Sequence, residues 1–191
     1  MWYFMYYMPT ELNKALTYRT LYDVCYEDLP LERLEGVVFD LGCGLSDIGA
    51  ELAEGGIPAT VFGFDESPMA LQESSGNNPV TKLILAKIDN IPAPNESADA
   101  IVASWSMPMW AETAEEVTGF YKECNRVLKG GGMLVIAPVP NEYDLKGYRQ
   151  NEAESWRIQL ASKAGADAIR NSSSWLSLSE DDKAVVAVKQ K

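Results

Sequence analysis

The chain contains no histidine and only three cysteines, which lie far apart in the sequence. Without histidine, Ser-His-Asp and Cys-His catalytic systems and imidazole-based metal sites are excluded. Cys25, Cys43 and Cys124 form no C-x-x-C pair, so neither a disulfide framework nor a structural zinc site is expected. We therefore expect no bound metal, reduced thiols and a cytoplasmic location.

Basic residues and long apolar runs are also scarce. The chain has 16 Lys and Arg against 28 Asp and Glu, a net charge of −12, and such a surface repels a phosphate backbone. No apolar run reaches the roughly 18 residues of a membrane span. The apolar N-terminus also lacks the basic region and the cleavage site of a signal peptide. Nucleic acid and membranes are thus disfavoured as partners.

The length of 191 residues and a hydrophobic fraction of 47% are typical of one globular domain. Its expected parts are an N-terminal helical cap over residues 1–35, a core over 36–138 and a C-terminal part over 139–191. In the last part, the spacing of Trp156, Leu160 and Ala164 predicts a helix. A strand pair near residues 174–178 and 184–188 is expected to follow that helix.

Short apolar runs alternate with helical patterns through the core. The runs predict strands over residues 36–39, 60–64, 80–86, 100–104 and 133–137. A periodic apolar stripe predicts a helix over 111–128 that ends at the glycines 130–132. This alternation implies an α/β fold with an open, mostly parallel sheet and helices on both faces. Because ligands bind at the carboxyl ends of such strands, the residues that follow the strands are the candidate site residues.

A glycine-containing loop, Asp40-Leu-Gly-Cys-Gly44, follows the first predicted strand and leads into a helix. Glycines there allow a ligand to approach the backbone closely, and a helix N-terminus favours polar or anionic groups. The dinucleotide fingerprint G-x-G-x-x-G would require glycine at position 47, where the chain has Asp47. This departure disfavours a nicotinamide-dependent dehydrogenase.

The segment over residues 38–44, Val-Phe-Asp-Leu-Gly-Cys-Gly, resembles motif I of the class I S-adenosylmethionine (SAM) dependent methyltransferases of the type 11 kind. Segments 62–69, 91–102 and 126–136 resemble further motifs of that family in the same order. The resemblance implies a Rossmann-like sheet of seven strands, the last antiparallel. It also implies SAM as cofactor, S-adenosylhomocysteine as product, and in-line methyl transfer to a small-molecule or protein acceptor.

The resemblance also implies the cofactor site, in which Asp65 holds the ribose hydroxyls. The implied cofactor-binding residues are Asp40, Gly42, Cys43, Gly44, Asp65, Glu66, Lys87, Ile88, Asp89 and Ser104. The chain departs from the family pattern at Ser46, which replaces a third glycine, and at Lys87, which replaces the acid that contacts the adenine amino group. A lysine ammonium accepts no hydrogen bond. Either Asp89 or backbone groups around Ile88 are therefore expected to hold the adenine.

The segment after the fourth strand lies where acceptors dock in the family, and it lacks the Asn-Pro-Pro-aromatic pattern of base-amino methyltransferases. The candidate substrate-binding residues are the aromatic side chains Trp105, Trp110, Tyr18 and Tyr22. The alternative role for each of them is packing in the core. A base for an oxygen acceptor would come from Glu142, Tyr143 or Asp144, just after the fifth strand. The departures at Ser46 and Lys87 leave a second function open, a catalytically silent domain that serves as a binding or regulatory partner.

Overall fold

The computed structural model describes residues 31–45, 48–77, 81–104, 106–107, 111–139, 156–162 and 183–190. The strands in chain order are β1 (Gly36–Leu41), β2 (Ala59–Asp65), β3 (Lys82–Leu85), β4 (Ala98–Ser104), β5 (Leu128–Val139), β6 (Trp156–Ser162) and β7 (Lys183–Lys189). The described helices are a 3-10 turn (Leu31–Leu34), α1 (Ile48–Glu54), α2 (Pro68–Asn77) and α3 (Ala114–Val127). All five strands predicted within the core are thus present.

The strands form one seven-stranded sheet in the order β3-β2-β1-β4-β5-β7-β6. Strands β1 to β5 pair in parallel, whereas β7 runs antiparallel to both β5 and β6. The predicted Rossmann-like sheet with an antiparallel last strand is therefore confirmed. The chain winds outward from β1 through β2 to β3 and then crosses to β4 on the other side of β1. The topological switch point thus lies between β1 and β4.

Helix α3 packs against the sheet through apolar residues that recur at helical spacing. Its buried residues include Phe120, Tyr121, Cys124 and Val127, which share one core cluster with residues of β1, β2, β4 and β5. The Thr113 hydroxyl caps the helix by accepting a 3.2 Å hydrogen bond from the Glu116 amide. Burial of one such large apolar side chain contributes roughly 1.5–3 kcal/mol.

The sequence-based limits of α3 and β5 are wrong at their junction. The helix ends at Val127, and the glycines 130–132, predicted to terminate it, belong to β5. Leu128 has extended backbone angles and pairs with Ala98 of β4, so the strand begins directly after the helix. Gly132 is needed inside the strand because a Cβ there would lie 2.9 Å from the carbonyl oxygen of Asp99.

The helix predicted on Trp156, Leu160 and Ala164 is also wrong, since residues 156–162 form β6, paired antiparallel with β7. In Trp-Arg-Ile-Gln-Leu the apolar residues alternate with polar ones, which is the period of a strand. Strand β7 agrees with the strand expected near 184–188. The strand expected near 174–178 lies outside the described residues, as does Ala164.

The helical cap predicted over residues 1–35 lies outside the described residues, except for the turn Leu31–Leu34 and Glu35. Leu34 in that turn is fully buried, and the turn contacts β4. No helix among the described residues is long and apolar enough to cross a membrane.

Candidate functional site

The register of the parallel strands brings the predicted cofactor residues to one edge of the sheet. Leu41 of β1 pairs with Phe64 of β2, and Asp65 pairs with Leu85 at the end of β3. Strand β4 runs in the same direction beside β1, with Asp40 paired to Val102. The loops that follow β1 to β4 therefore emerge side by side. These loops and strand ends carry all ten predicted cofactor residues.

Backbone hydrogen bonds hold the glycine loop against the end of β2. The carbonyl of Phe64 accepts hydrogen bonds from the amides of Gly42, at 2.8 Å, and Cys43, at 3.0 Å. Gly42 has a φ of +70°, and a Cβ there would stand 2.7 Å from the Cβ of Ser106. Because Ser106 follows β4 and is buried, glycine is required at 42 for the loop to approach across the switch point.

Gly44 and Asp65 are joined directly. The Gly44 amide donates to Asp65 Oδ2 at 2.8 Å, and the Ser67 amide donates to Asp65 Oδ1 at 2.8 Å. Asp65 is only 8% exposed. Gly44 has a φ of +47°, and no described atom lies within 4 Å of the place its Cβ would occupy. The loop is thus fixed by the acid of β2 and borders a space that is open among the described residues.

The thiol of Cys43 is buried inside the loop and packs against Gly63, where a Cβ would lie 2.9 Å from the Cys43 sulfur. Burial raises the pKa of this thiol, and the negative charges of Asp40 and Asp65 raise it further. Cys43 is therefore neutral near pH 7 and is a packing residue, as expected for a small hydrophobe, rather than a nucleophile.

The segment after β3 carries Lys87, Ile88 and Asp89 close to Asp65. Its first residue, Ala86, donates a 3.0 Å hydrogen bond from its amide to the Asp65 carbonyl. Ile88 packs against the core cluster, while the side chains of Lys87 and Asp89 are exposed. Lys87 thus stands at the site edge with its ammonium in solvent, and the backbone on both sides of Ile88 is held by that core contact.

Ser104 ends β4 beside the switch point. Its Oγ is buried and has no hydrogen-bond partner among the residues described. A buried hydroxyl without a partner costs about 1–3 kcal/mol. A ligand that supplies this partner at the edge would remove that cost.

Several predicted residues lie outside the described part of the chain. They are Ser46, the aromatic candidates Tyr18, Tyr22, Trp105 and Trp110, and the candidate bases Glu142, Tyr143 and Asp144. Within the described residues, no group of three or more Cys, Asp and Glu side chains is placed to hold a metal ion.

Sequence reasoning missed two features of the site. Ser106 received no role, although it lies only two positions beyond the predicted fourth strand. Glu123 and Arg126 of α3 form an ion pair with a 2.6 Å contact between Arg126 Nη2 and Glu123 Oε1. The sequence signal for this pair was the position of Glu123, which adjoins Cys124 on the apolar stripe of α3. A carboxylate in such a place is buried only when it is paired, so a partner was to be expected.

Comparisons with known proteins agree with this geometry. A family model described as "Methyltransferase domain" matches residues 39–136, just over half of the chain. A SAM-dependent methyltransferase from Mesorhizobium loti is similar in structure, with a TM-score of 0.61 and 18% identity over 88% of this chain and 97% of that one. Magnesium protoporphyrin IX methyltransferase from Synechocystis, solved with bound SAM, has a TM-score of 0.62 and 13% identity over 95% of this chain and 80% of that one. At these identities the likeness concerns the fold. No curated protein matches the sequence closely enough to count as a relative.

Proposed function

The chain belongs to the methyltransferase domain family, and we propose on that basis that it transfers the methyl group of SAM to a small-molecule or protein acceptor by in-line displacement. SAM is the cofactor of this family, and S-adenosylhomocysteine is the product that remains. The observation that carries the proposal is the junction of Gly44 and Asp65, which places a glycine of positive φ, a buried acid and a space open among the described residues at one strand edge.

The residues at this edge fit SAM. The open space beside Gly44 would be filled by any side chain there, so the loop leaves room for a ligand. Each carboxylate oxygen of Asp65 accepts one amide hydrogen bond and retains acceptor capacity for a ribose hydroxyl. The Ser104 hydroxyl has no partner among the described residues and is free to bond a polar group of the cofactor.

The charge of the edge also favours SAM over a dinucleotide. Asp40 and Asp65 are both buried, and the negative charges of both act on the Cys43 thiol. Such a field attracts a cationic sulfonium and repels a pyrophosphate. Asp47, which stands where the dinucleotide fingerprint has glycine, likewise disfavours a dinucleotide.

When bound, SAM supplies a methyl group that its sulfonium already activates, so the chain needs no nucleophile of its own. The contribution of the protein is to align acceptor and methyl group, which supplies on the order of 7–11 kcal/mol of a barrier. In this proposal Trp105, Trp110, Tyr18 and Tyr22 contact the acceptor. An oxygen acceptor would also require a base, for which the proposed residues are Glu142, Tyr143 and Asp144.

The proposal extends to the organisation and location of the protein. We place the whole chain, residues 1–191, in a single methyltransferase domain. The net charge of −12 supports a small molecule or a protein, rather than nucleic acid, as the acceptor. The free, buried thiols of Cys43 and Cys124 support a reducing compartment such as the cytoplasm.

Calorimetric titration with SAM, S-adenosylhomocysteine and NAD tests the proposal. We expect both adenosyl ligands to bind and NAD to give no heat of binding. Methyl transfer from tritiated SAM to separated small-molecule and protein fractions then identifies the acceptor class. Binding without transfer to any fraction would support the silent-domain alternative, and the absence of SAM binding would contradict the proposal.

A further inference from the structure

The segment over residues 86–97, between β3 and β4, carries site residues but forms neither helix nor strand. Its backbone groups therefore need partners outside a regular ladder. Within the segment, the Asn90 amide donates to the Lys87 carbonyl at 3.1 Å and the Ala93 amide donates to the Ile91 carbonyl at 2.7 Å. These two bonds lie within the segment, and its last two amides donate to carbonyls at the end of α3 at 2.9 and 2.8 Å.

Two charged side chains of α3 hold the middle of the segment. Glu123 Oε1 accepts a 2.6 Å hydrogen bond from the Ile91 amide, and Arg126 Nη2 donates to the Ile91 carbonyl at 2.9 Å. Arg126 Nη1 also donates to the Ala93 carbonyl at 2.8 Å and to Asn95 Oδ1 at 2.9 Å. Both backbone groups of Ile91 are thus held by one ion pair.

The pair is itself rigid. Arg126 Nε donates to Glu123 Oε2 at 2.8 Å and Nη2 donates to Oε1, so the guanidinium meets the carboxylate with two parallel bonds. Burial would raise the pKa of Glu123, but the bonds from Arg126 and the Ile91 amide lower it below its ordinary value. Both groups remain charged at neutral pH, and the planar fork of Arg126 fixes the direction of each bond.

Ile91, which the pair holds, lies next in the chain to the residues proposed to face the cofactor. Ile91 directly follows Asn90, and the Asp89 side chain lies against α3, where a Cβ at Gly119 would stand 3.7 Å from its Cβ. At the other end of the same stretch, Ala86 is bonded to the Asp65 carbonyl. Residues 87–90 therefore lie between two anchored points, the bond to Asp65 on one side and the ion pair of α3 on the other.

We propose that the Glu123–Arg126 pair is a positioning device that sets the backbone of residues 87–90 to read the adenine edge of SAM. The inference rests on the proposed function, since it requires that SAM binds at this edge. It explains how adenine is recognised although Lys87 offers no acceptor, because the reading groups are then backbone amides and carbonyls whose position α3 determines.

The chain contains a matched control for this pair. Asp99 accepts a 2.9 Å bond from the Val37 amide and a 2.7 Å bond from Lys129, so it also combines one backbone amide with one cation. It lies near the amino ends of β1 and β4, at the opposite edge of the sheet. A change at Asp99 therefore breaks the same kind of contact away from the proposed adenine site.

The test compares Glu123→Gln and Arg126→Lys with Asp99→Asn in the full chain. Hydrogen exchange of residues 86–95 is measured without ligand, and binding is measured for S-adenosylhomocysteine and for S-inosylhomocysteine, which carries a carbonyl in place of the adenine amino group. We expect faster exchange in both α3 variants and a roughly tenfold loss of the wild-type preference for the adenine ligand. Asp99→Asn should retain wild-type exchange in this segment and the full preference.

Each other outcome has a distinct meaning. If the wild type binds neither ligand, the proposed function fails and the inference fails with it. If the wild type binds but does not distinguish the two ligands, the backbone does not read the adenine edge and only the inference is overturned. Equal loss of affinity for both ligands in the α3 variants would assign the pair a merely structural role, and this result would also overturn the inference.

Discussion

The carboxylate of Asp65 binds the backbone amide of Gly44 at 2.8 Å, across 21 residues of sequence. One oxygen of the acid that ends β2 thus shapes the loop that follows β1, while the other accepts the Ser67 amide. Asp65 therefore stabilises the loop of the ligand-free protein, in addition to the proposed bond to the ribose. The first role should be measurable as stability and the second as SAM affinity.

Replacement of Asp65 by alanine should affect both stability and binding. The variant leaves the Gly44 and Ser67 amides without their acceptor, so we expect the free energy of unfolding to fall by about 1–3 kcal/mol. SAM binding should weaken by roughly 1.5–3 kcal/mol, the contribution of a hydrogen bond to a charged group. Urea denaturation and calorimetry measure the two effects. Glu66→Ala, which removes the exposed acid next in sequence, should unfold at the wild-type urea concentration.

A side chain at position 44 should have two separable effects: backbone strain that lowers stability, and steric exclusion of SAM. Gly44→Val places a branched side chain at a φ of +47°, which costs about 1–2 kcal/mol in the left-handed region. The same side chain enters the open space beside the loop, so SAM binding should be lost. Gly56→Ala is the control, because Gly56 has a φ of +70° with no described atom near its Cβ position and lies after α1. That variant should lose stability but retain SAM affinity. A Gly44→Val protein that binds SAM like the wild type would exclude the glycine loop as the site.

The sequence predicts the five core strands along the chain and the edge at which a ligand is expected, because both depend on local patterns. Buried parallel strands are short apolar runs, and the acids and glycines that follow them mark the ligand edge. The Asp65–Gly44 bond and the Glu123–Arg126 pair are different, since each joins segments whose proximity only the folded chain determines. The spacing of Trp156, Leu160 and Ala164 predicts a helix where β6 forms, because an i, i+4 spacing and an alternating pattern coexist in so short a stretch.

The buried thiols predict a loss of stability at high pH. Burial raises the pKa of both Cys43 and Cys124 above the ordinary value of 9.0, so the folded state keeps protons that the unfolded state releases. Stability is therefore fully present below pH 9 and falls above it, by about 1.4 kcal/mol per pH unit for each thiol. Cys124→Ala should show a shallower decline than the wild type between pH 9 and pH 11 in urea denaturation.

The same protonation predicts low reactivity of Cys43. Because the thiolate is the reactive species, iodoacetamide at pH 8 should leave Cys43 unmodified in the folded protein and label it once urea unfolds the chain. Mass spectrometry of the peptide that contains residues 40–44 measures this. Rapid labelling of Cys43 under native conditions would show that the loop opens or that the thiol is not buried.

The resemblance to the methyltransferase family implies that Lys87 stands where an acid usually contacts adenine, and its side chain is exposed in this structure. If backbone groups around Ile88 hold the adenine, the ammonium makes no contact that binding requires. Lys87→Asp should then retain the wild-type affinity for SAM, or increase it, because an aspartate accepts the adenine amino hydrogen that lysine cannot accept. The variant also makes the protein more acidic, so Lys122→Asp, at an exposed position of α3, controls for the change of charge. Calorimetry with all three proteins at equal salt concentration decides the matter. A several-fold weaker affinity in Lys87→Asp, with Lys122→Asp unchanged, would mean that Lys87 itself contacts the cofactor and that the adenine lies elsewhere than beside Ile88.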